Sequence, residues 1–477
     1  MARKLGLANR LILAIMGMVT VLGTIGLGIV TSSDVRAQTQ PRGTQSAAAP
    51  LESTGDSSGL LARAREKIAR TTHQLLKCTC LETIERTYYA APVEKSILGP
   101  RIITEAPANS CGGREFGKNG SLSLDARDRL RLGVTVAGGD EIYSWAAASR
   151  FDSRSVFQMV SNGPISTGSF GQYLVAVFEN PGVRFKFTGT KVETSGEVFE
   201  YGFEVPAEAS HYEVAVGNGW KVTGTHGWFQ INAVTADLLR LVVETEQLPP
   251  EASFCRARTS IDYHYMLIGT EEFLIPRQSE LETLSADAGE TSSVTTFSGC
   301  REYAAESKLR FDGQESLNEV KVAPQPPAPL PPGVSLTLAL LAPIDTSIAA
   351  AGDPVSAKVS KVVRAPHSNQ ILAPAGATAH GRILQVRHQY RSSQFLISIR
   401  FDTIETQGVV SPLSLKLDRE LQAERGRTQN GLRQRGAEFS LPPPASGGTG
   451  SLFVVPAGGG RYVFPRGFES KWTTVAQ

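Results

Sequence analysis

The most distinctive chemistry in this 477-residue chain belongs to five cysteines: Cys78, Cys80, Cys111, Cys255 and Cys300. A cysteine can pair, ligate a metal or attack as a thiolate. Cys78 and Cys80 lie two apart, so on one extended strand they share a face and make poor partners for each other. The Cys-x-Cys spacing has neither a His nor a second close Cys pair beside it, so no metal is assigned. The expectation is long-range disulfides from Cys78 or Cys80, with Cys111 as a further candidate, to Cys255 or Cys300. The odd count leaves at least one thiol free or in an intermolecular bond.

Other reactive constellations are sparse. The sequence holds no Gly-x-Ser-x-Gly, His-Glu-x-x-His or phosphate-loop pattern, and no dinucleotide glycine pattern in a strand-to-helix context. The Gly-rich GGTGS at 447–451 follows a Pro run and opens no helix, so it reads as a loop. Asp262-Tyr263-His264 sets Asp262 and His264 on one strand face, a spacing compatible with acid–base work. With no nucleophile near them in sequence, they read as a structural pair. Glu271 and Glu272 point to opposite faces and read as solvated turn residues. No catalytic residue and no cofactor is assigned, and the expectation is a protein that is not an enzyme. An exported hydrolase assembled only in space is the alternative.

Eight aromatics remain as candidates for an apolar site: Trp145, Phe185, Phe187, Phe199, Tyr201, Phe203, Trp220 and Phe229. By period two, Phe185 and Phe187 share one face of their strand, as do Phe199, Tyr201 and Phe203. They either fill a core or line a concave cavity that holds an acyl chain or similar hydrophobic ligand.

The elements that must position them are mostly strands. Leu61, Ala64, Ile68 and Leu75 fall near one face of a helix from about Ser58 to Leu76, capped by Ser57 or Ser58. TCLETIERTYYA follows as a first strand. Residues 92–128 read as irregular, with Pro92, Pro100, Pro107 and Gly112-Gly113. The runs RLRLGVTV, EIYSW, QYLVAVF, VRFKFTGTKV, VFEYGFEV, YEVAV, GWFQINA and LLRLVVET then alternate, broken by turns such as Ala137-Gly138-Gly139-Asp140 and Asn218-Gly219. ARTSIDYHYMLI and EEFLIP pair across Gly269-Thr270, and SKLRFDG closes the region. Helical patterns do not alternate with strands, which disfavours a doubly wound α/β fold. The predicted fold class is mainly β. A curved antiparallel sheet, or half-barrel, with a covering helix occupies 58–320. A small β-barrel occupies 334–477, with a mobile excursion at 419–450. The Pro-rich stretch 321–333 is a linker between them.

The N-terminus reads as an export signal over 1–37. Arg3, Lys4 and Arg10 precede an apolar run from Leu11 to Val30, and Val35-Arg36-Ala37 supplies a small-x-small cleavage site. The run is also long enough to serve as an uncleaved membrane anchor. A polar leader follows over 38–57. Cleavage lowers the formal charge from +2 to −1, because four basic residues and one acidic one leave. That excludes a nucleic-acid footprint for the mature chain as a whole. Residues 334–477 carry 16 Lys/Arg against 9 Asp/Glu, which gives the C-terminal module a net +7. A basic module of this kind could meet an anionic surface.

One phrase links the central meander to known proteins. Trp228, Phe229, Ile231, Asn232, Thr235, Leu238 and Arg240 stand where periplasmic lipoprotein carriers and sorting proteins of the LolA/LolB type have "W, hydrophobic, Asp/Asn, x, x, Thr, x, x, Leu, x, Arg". The resemblance covers about 58–312 and implies a half-barrel that carries a lipid or lipoprotein segment; the cysteines and the segment 92–128 are not part of it. The C-terminal region resembles the small barrel of TrbI-type conjugation and secretion proteins, where Leu372, Pro374, Gly376 and Gly381 match an "L-x-P-x-G-x-x-x-x-G" connection between two strands. No pore function is carried over. The expected function is an exported binding or carrier protein of the periplasm or cell envelope, with a lipid, a lipoprotein or an envelope protein as partner. Membrane contact is then peripheral at most. A structural or interaction protein without a small-molecule ligand, or one secreted to the medium, is the alternative.

Overall fold

The computed structural model describes residues 56–302 and 329–476, apart from 91–93, 99–100, 106–115, 117–121, 419–450 and a few turn positions. The expected signal segment, nearly all of the leader, Cys111, the strand SKLRFDG, most of the linker and the excursion at 419–450 lie outside the described residues.

The first element is α1 (Ser57–Leu75). Its cap is Asp56, whose carboxylate accepts from the Gly59 N–H at 2.9 Å, so Ser57 and Ser58 already sit inside the first turn. An Asp at this position satisfies an orphan amide as well as a Ser and adds negative charge at the positive end of the helix. The buried stripe is Leu60, Ala64, Ile68, Thr71 and Leu75, with steps of four, four, three and four. Leu61 lies at its edge, half-buried against the same core.

The strands that follow are β1 (Cys78–Ala90), β2 (Glu94–Leu98), β3 (Arg101–Glu105), β4 (Ser123–Ala137) and β5 (Asp140–Trp145). The segment expected to be irregular therefore contains a hairpin, with Glu94 paired to Glu105 and Leu98 to Arg101, and the start of β4. EKSIL and RIITE are β-prone runs that the surrounding Pro and Gly residues obscured. Two short helices come next, α2 (Val156–Met159) and α3 (Gln172–Leu174), the latter continuing as a π-turn over Val175–Glu179. QYLVAVF is thus helical and not a strand. It buries Tyr173, Leu174, Val177 and Phe178, a spacing of one, three and one that fits 3.6 residues per turn. In an almost wholly apolar run, sequence periodicity does not separate the two states.

The meander then runs through β6 (Arg184–Glu193), β7 (Gly196–Val205), β8 (Glu213–Val216), β9 (Gly219–Val222), β10 (Thr225–Asn232), β11 (Leu238–Thr245), β12 (Phe254–Ile268), β13 (Glu271–Ser285) and β14 (Glu290–Glu302). Neighbours in the sheet are β6-β7-β10-β11-β12-β13-β14-β1-β4-β5, antiparallel throughout. β14, a Ser/Thr-rich strand absent from the sequence reading, carries the closing role: it zips onto β1 from Cys78–Glu302 to Tyr89–Glu290. YEVAV and the Gly219-Trp220 run do not join this sheet. They form a separate β8–β9 hairpin that packs through Val214 on Leu248 and Ala252.

The C-terminal strands are β15 (Ser335–Leu340), β16 (Ile344–Asp345), β17 (Pro354–Val359), β18 (Val363–Arg364), β19 (Ile371–Ala373), β20 (Thr378–Gln389), β21 (Gln394–Thr406), β22 (Val409–Pro412), β23 (Leu415–Leu417), β24 (Ser451–Pro456), β25 (Val463–Phe464) and β26 (Glu469–Thr474). Pairing runs β15-β17-β20-β21-β22, and β23, two residues after β22, pairs β26, which returns to β15. This ring is a small closed barrel. Closure removes exposed strand edges. The matched glycines mark two of its constraints. Gly376 has φ +89° in the turn before β20, and a side chain at Gly381 would strike the Arg400 carbonyl of β21.

Two hydrophobic cores result. One lies between α1 and the N-terminal sheet; the other fills the barrel around Trp472, Phe401 and Phe464. β20 belongs to both sheets. Its first residues pair β17, and Arg387–Gln389 pair Ala126–Asp128 of β4. Ala351 extends the junction: its carbonyl accepts from the Arg131 N–H and its own N–H donates to the Arg129 carbonyl, both at 2.8 Å, and Arg131 forms an ion pair with Asp353.

Candidate functional site

The concave side of the N-terminal sheet is only partly filled. Over β6, β7 and β10 the helix covers it. Here Phe199, Tyr201, Phe203 and Phe229 are buried at 5% exposure or less. Tyr201 and Phe229 stack at 5.3 Å, and Phe178 meets Phe229 edge-on at 4.9 Å. Tyr201 also donates to the Ser57 carbonyl at 2.7 Å, pinning the start of α1. Phe185 and Trp145 pack against this core half-buried, and Phe187 lies at its exposed edge. Six of the eight aromatic candidates are thus grouped on β6, β7 and β10, as core and rim, with Trp145 apart on β5.

Trp220 is elsewhere. It sits on β9, exposed, with its ring 4.7 Å from Phe157 of α2. Between that hairpin, Val160, the segment from Gly163 through α3 to Ala176 and the inner faces of β12, β13 and β14 lies a cavity of 770 Å³. Of the eight candidates Trp220 alone lines it. The apolar wall includes Val160, Ile165, Tyr173, Tyr212, Val214 and Leu281. Tyr173 and Tyr212 face each other at 6.1 Å, and burial pushes both phenols up, so both are neutral donors at physiological pH. Phe157, Val175 and Trp220 form an exposed apolar lip.

The loop that roofs this cavity is held by one side chain. Glu141 of β5 accepts from the N–H groups of Gly168 (2.7 Å), Phe170 (2.8 Å) and Gly171 (2.9 Å) and from the Tyr143 hydroxyl (2.7 Å). A carboxylate with four donors anchors a segment that makes few ladder bonds of its own. Beyond Ile165, Ser166 and Leu281, which line both spaces, lies a recess of 10 Å³ bounded by Glu82, Tyr143, Ser169, Ser279, Ser293 and Thr295. Glu82 is 4% exposed. Burial, and secondarily the Glu141 charge, pushes its carboxyl well above the usual range. Four residues along the same face of β1, Arg86 clamps Asp128 through both nitrogens at 2.7 and 3.0 Å, and Tyr88 donates to the same carboxylate at 3.1 Å.

Neither Glu82, Arg86 nor Glu141 was singled out from sequence. A partial signal lies in β1: Cys80, Glu82, Ile84 and Arg86 share the face that the helix side buries, so charged residues occupy places where apolar ones are usual. Asp262 and His264 do share a face, but they do not form a pair. Asp262 approaches Arg240 at 3.5 Å on the exposed side of the sheet. His264 has a buried Nδ1 without a partner among the described residues, and burial with Arg277 lowers its pKa. Of the cysteines, Cys80 bonds Cys300, Cys255 is disulfide-bonded, and Cys78 is a buried free thiol pushed up to about 11 by desolvation. Among the described residues no group of His, Cys, Asp and Glu is placed to hold a metal ion.

Three solved structures are similar to the chain over about half its length. One is described as an outer membrane lipoprotein-sorting protein domain from Vibrio parahaemolyticus, 12% identical with a TM-score of 0.25, covering 53% of this chain and 97% of that one. A LolA superfamily protein from Nitrosomonas europaea is 9% identical, with a TM-score of 0.23 and coverage of 50% and 94%. A DUF1329 family protein from Desulfovibrio piger is 11% identical, with a TM-score of 0.25 and coverage of 52% and 95%. No family model and no curated protein matches the sequence.

Proposed function

We propose that this chain is an exported carrier or binding protein that holds an elongated hydrophobic, lipid-like ligand in the cavity under the β8–β9 hairpin. The cavity carries the reading. Its 770 Å³ lies within the range of small-molecule sites, and a mostly apolar wall with a few convergent polar groups is their usual composition. Burying an alkyl chain there would gain roughly 25 cal/mol per Å² of apolar surface removed from water. The exposed lip at Phe157, Val175 and Trp220 offers the chain an entrance.

Export is supported by the basic and apolar N-terminus with its small-x-small site, and by disulfide bonds, which persist in oxidising compartments. In this reading residues 58–320 act as the carrier module. The barrel of 334–477, with its net charge of +7, docks to the envelope.

The test is extraction of the purified mature protein with organic solvent, followed by mass spectrometry and by displacement of a fluorescent fatty-chain probe. Ala257, 2% exposed on the cavity floor, is the position to fill. Ala257→Trp should weaken probe binding by about tenfold or more, the scale of losing 1–2 kcal/mol of apolar contact. Finding neither a co-purified lipid nor a saturable probe site would sink the carrier reading.

A further inference from the structure

The end of the barrel farthest along its strands from the N-terminal sheet carries two exposed hairpin tips. Their common position follows from register. Lys358 of β17 pairs Thr378 of β20, Thr378 pairs Glu405 of β21, and Glu405 pairs Val410 of β22, so one row crosses four strands. The N-terminal sheet joins on one side of this row, through Ala351 and Asp353 before β17 and through Arg387–Gln389 at the end of β20. On the other side β17 runs into the β18–β19 hairpin and β21 turns into β22.

In the first tip Val363 pairs Ala373, and both are buried in the barrel core. Alternation therefore turns Val362 and Arg364 outward, together with Ile371, the partner of Arg364. Val362 is 44% exposed and Ile371 53%. In the second tip Gln407 and Gly408 make the turn, both with positive φ. Val409 and Val410 follow. Adjacent strand residues point to opposite faces, yet each is 52% exposed, so this tip stands clear of the barrel wall. None of the four aliphatic side chains belongs to the barrel core.

The charges beside them are predominantly positive. Lys358, Lys361 and Arg364 are exposed, and none has a carboxylate partner among the described residues. Arg364 donates instead to the Asn369 carbonyl at 2.8 Å and to its Oδ1 at 3.2 Å. Glu405, the acid of the row, faces His380 Nε2 at 3.4 Å. Exposed aliphatic tips ringed by cations complement a boundary that is anionic at its surface and apolar beneath. The aliphatic groups can enter the acyl boundary while the long basic side chains stay at the headgroups.

We propose that this end of the barrel docks on an anionic lipid surface, with Val362, Ile371, Val409 and Val410 entering the interface and Lys358, Lys361 and Arg364 meeting the headgroups. The proposal rests on the reading that the barrel meets the envelope, and it replaces a diffuse net charge by one face. The junction with the N-terminal sheet lies at the other end of the same strands and is left uncovered.

The experiment sediments the mature chain with vesicles of phosphatidylcholine alone and of phosphatidylcholine mixed with phosphatidylglycerol. The chain should bind the mixed vesicles, bind the neutral ones far more weakly, and be released by high salt. Lys361→Glu with Arg364→Glu should weaken binding about thirtyfold or more, the scale of removing two cations from an anionic surface. Arg466→Glu with Lys471→Glu makes the same change in net charge at exposed positions elsewhere on the barrel, and should cost about threefold at most. Val409→Ser with Val410→Ser leaves the charge unchanged and should weaken binding about tenfold. Equal losses in the two charge variants would mean that net charge alone docks the barrel; that reading would stand and this one would fall. Full binding by the valine variant would overturn the proposal as well. So would a chain that is a dimer in solution and a monomer in the valine variant, since a second copy would then cover the tips. A chain that binds neither kind of vesicle removes both readings.

Discussion

The N-terminal core buries Glu82, Arg86, Asp128 and Glu141 at 9% exposure or less, whereas the barrel around Trp472, Phe401 and Phe464 buries no charged side chain among the described residues. Both sheets are antiparallel, and both are lined by alternating apolar residues. The barrel is filled as a fold needs to be filled, since apolar packing alone stabilises a closed ring. Charges inside the other sheet bring a desolvation cost that packing would have avoided. They cluster where the sheet is not filled: Glu141 fixes the cavity roof, Glu82 ends the recess, and the Arg86–Asp128 clamp sits beside the seam to the barrel, where Arg387 of β20 reaches Asp128 at 3.6 Å. The contrast separates an interior filled by apolar packing from one that keeps buried charges beside a cavity.

Removing Asp128 tests that contrast most severely. Asp128→Ala leaves Arg86 buried without its countercharge and should destabilise the protein by about 3–5 kcal/mol in urea unfolding. Replacing both partners by apolar residues, as Arg86→Met with Asp128→Leu, should restore most of the loss. Should the double variant stay as unstable as the single one, the clamp would be a stabilising element in its own right and the comparison would fail. The disulfide comes next. Cys80–Cys300 spans 220 residues of sequence and belongs to the N-terminal sheet, while residues 334–477 contain no cysteine. Cys80→Ser with Cys300→Ser should cost about 2–4 kcal/mol, with no change in an alkyl-chain site that depends on β12–β14 and the hairpin. Titration with a thiol reagent under native conditions should leave Cys78 unlabelled at neutral pH, since its buried thiol is pushed up to about 11.

A smaller and pH-dependent effect is expected at Glu82. Its folded pKa is raised above the unfolded value, so the folded state holds a proton that the unfolded chain releases. Stability from this group is complete below the ordinary carboxylate range and is lost as pH rises from there toward the folded value. Glu82→Gln should match the parent in the acid range and be the more stable of the two near pH 7. Thermal melts at the two pH values check this. A variant that gains nothing at the higher pH would mean that the carboxyl is solvated or paired, and that the two interiors differ less than their residues suggest.

Much of the fold was legible because local chemistry and tertiary need agree. Alternation in GWFQINA and LLRLVVET, the turn at Gly269-Thr270 and the stripe on α1 each specify an element without help from distant residues. The misreadings share a cause. QYLVAVF is apolar at nearly every position and carries no period. β14 is Ser/Thr-rich and shows little contrast. The β8–β9 hairpin alternates like its neighbours but leaves the sheet, and nothing in its own residues says so.

Residue types and spacing alone determined a β-rich chain with a covering helix, a C-terminal barrel closed by a returning strand, and long-range pairing of cysteines from the two ends of the N-terminal sheet. Those properties follow from period, turn chemistry and composition. The cavity, the recess and the seam were decided only in three dimensions. β1 and β14 both line the recess because the two strands, more than 200 residues apart, pair edge to edge. Glu141 meets the roof because a loop 27 to 30 residues away folds back over it. Trp220 lines the site while Phe229 does not, because one stands on a hairpin that leaves the sheet and the other under the helix that covers it.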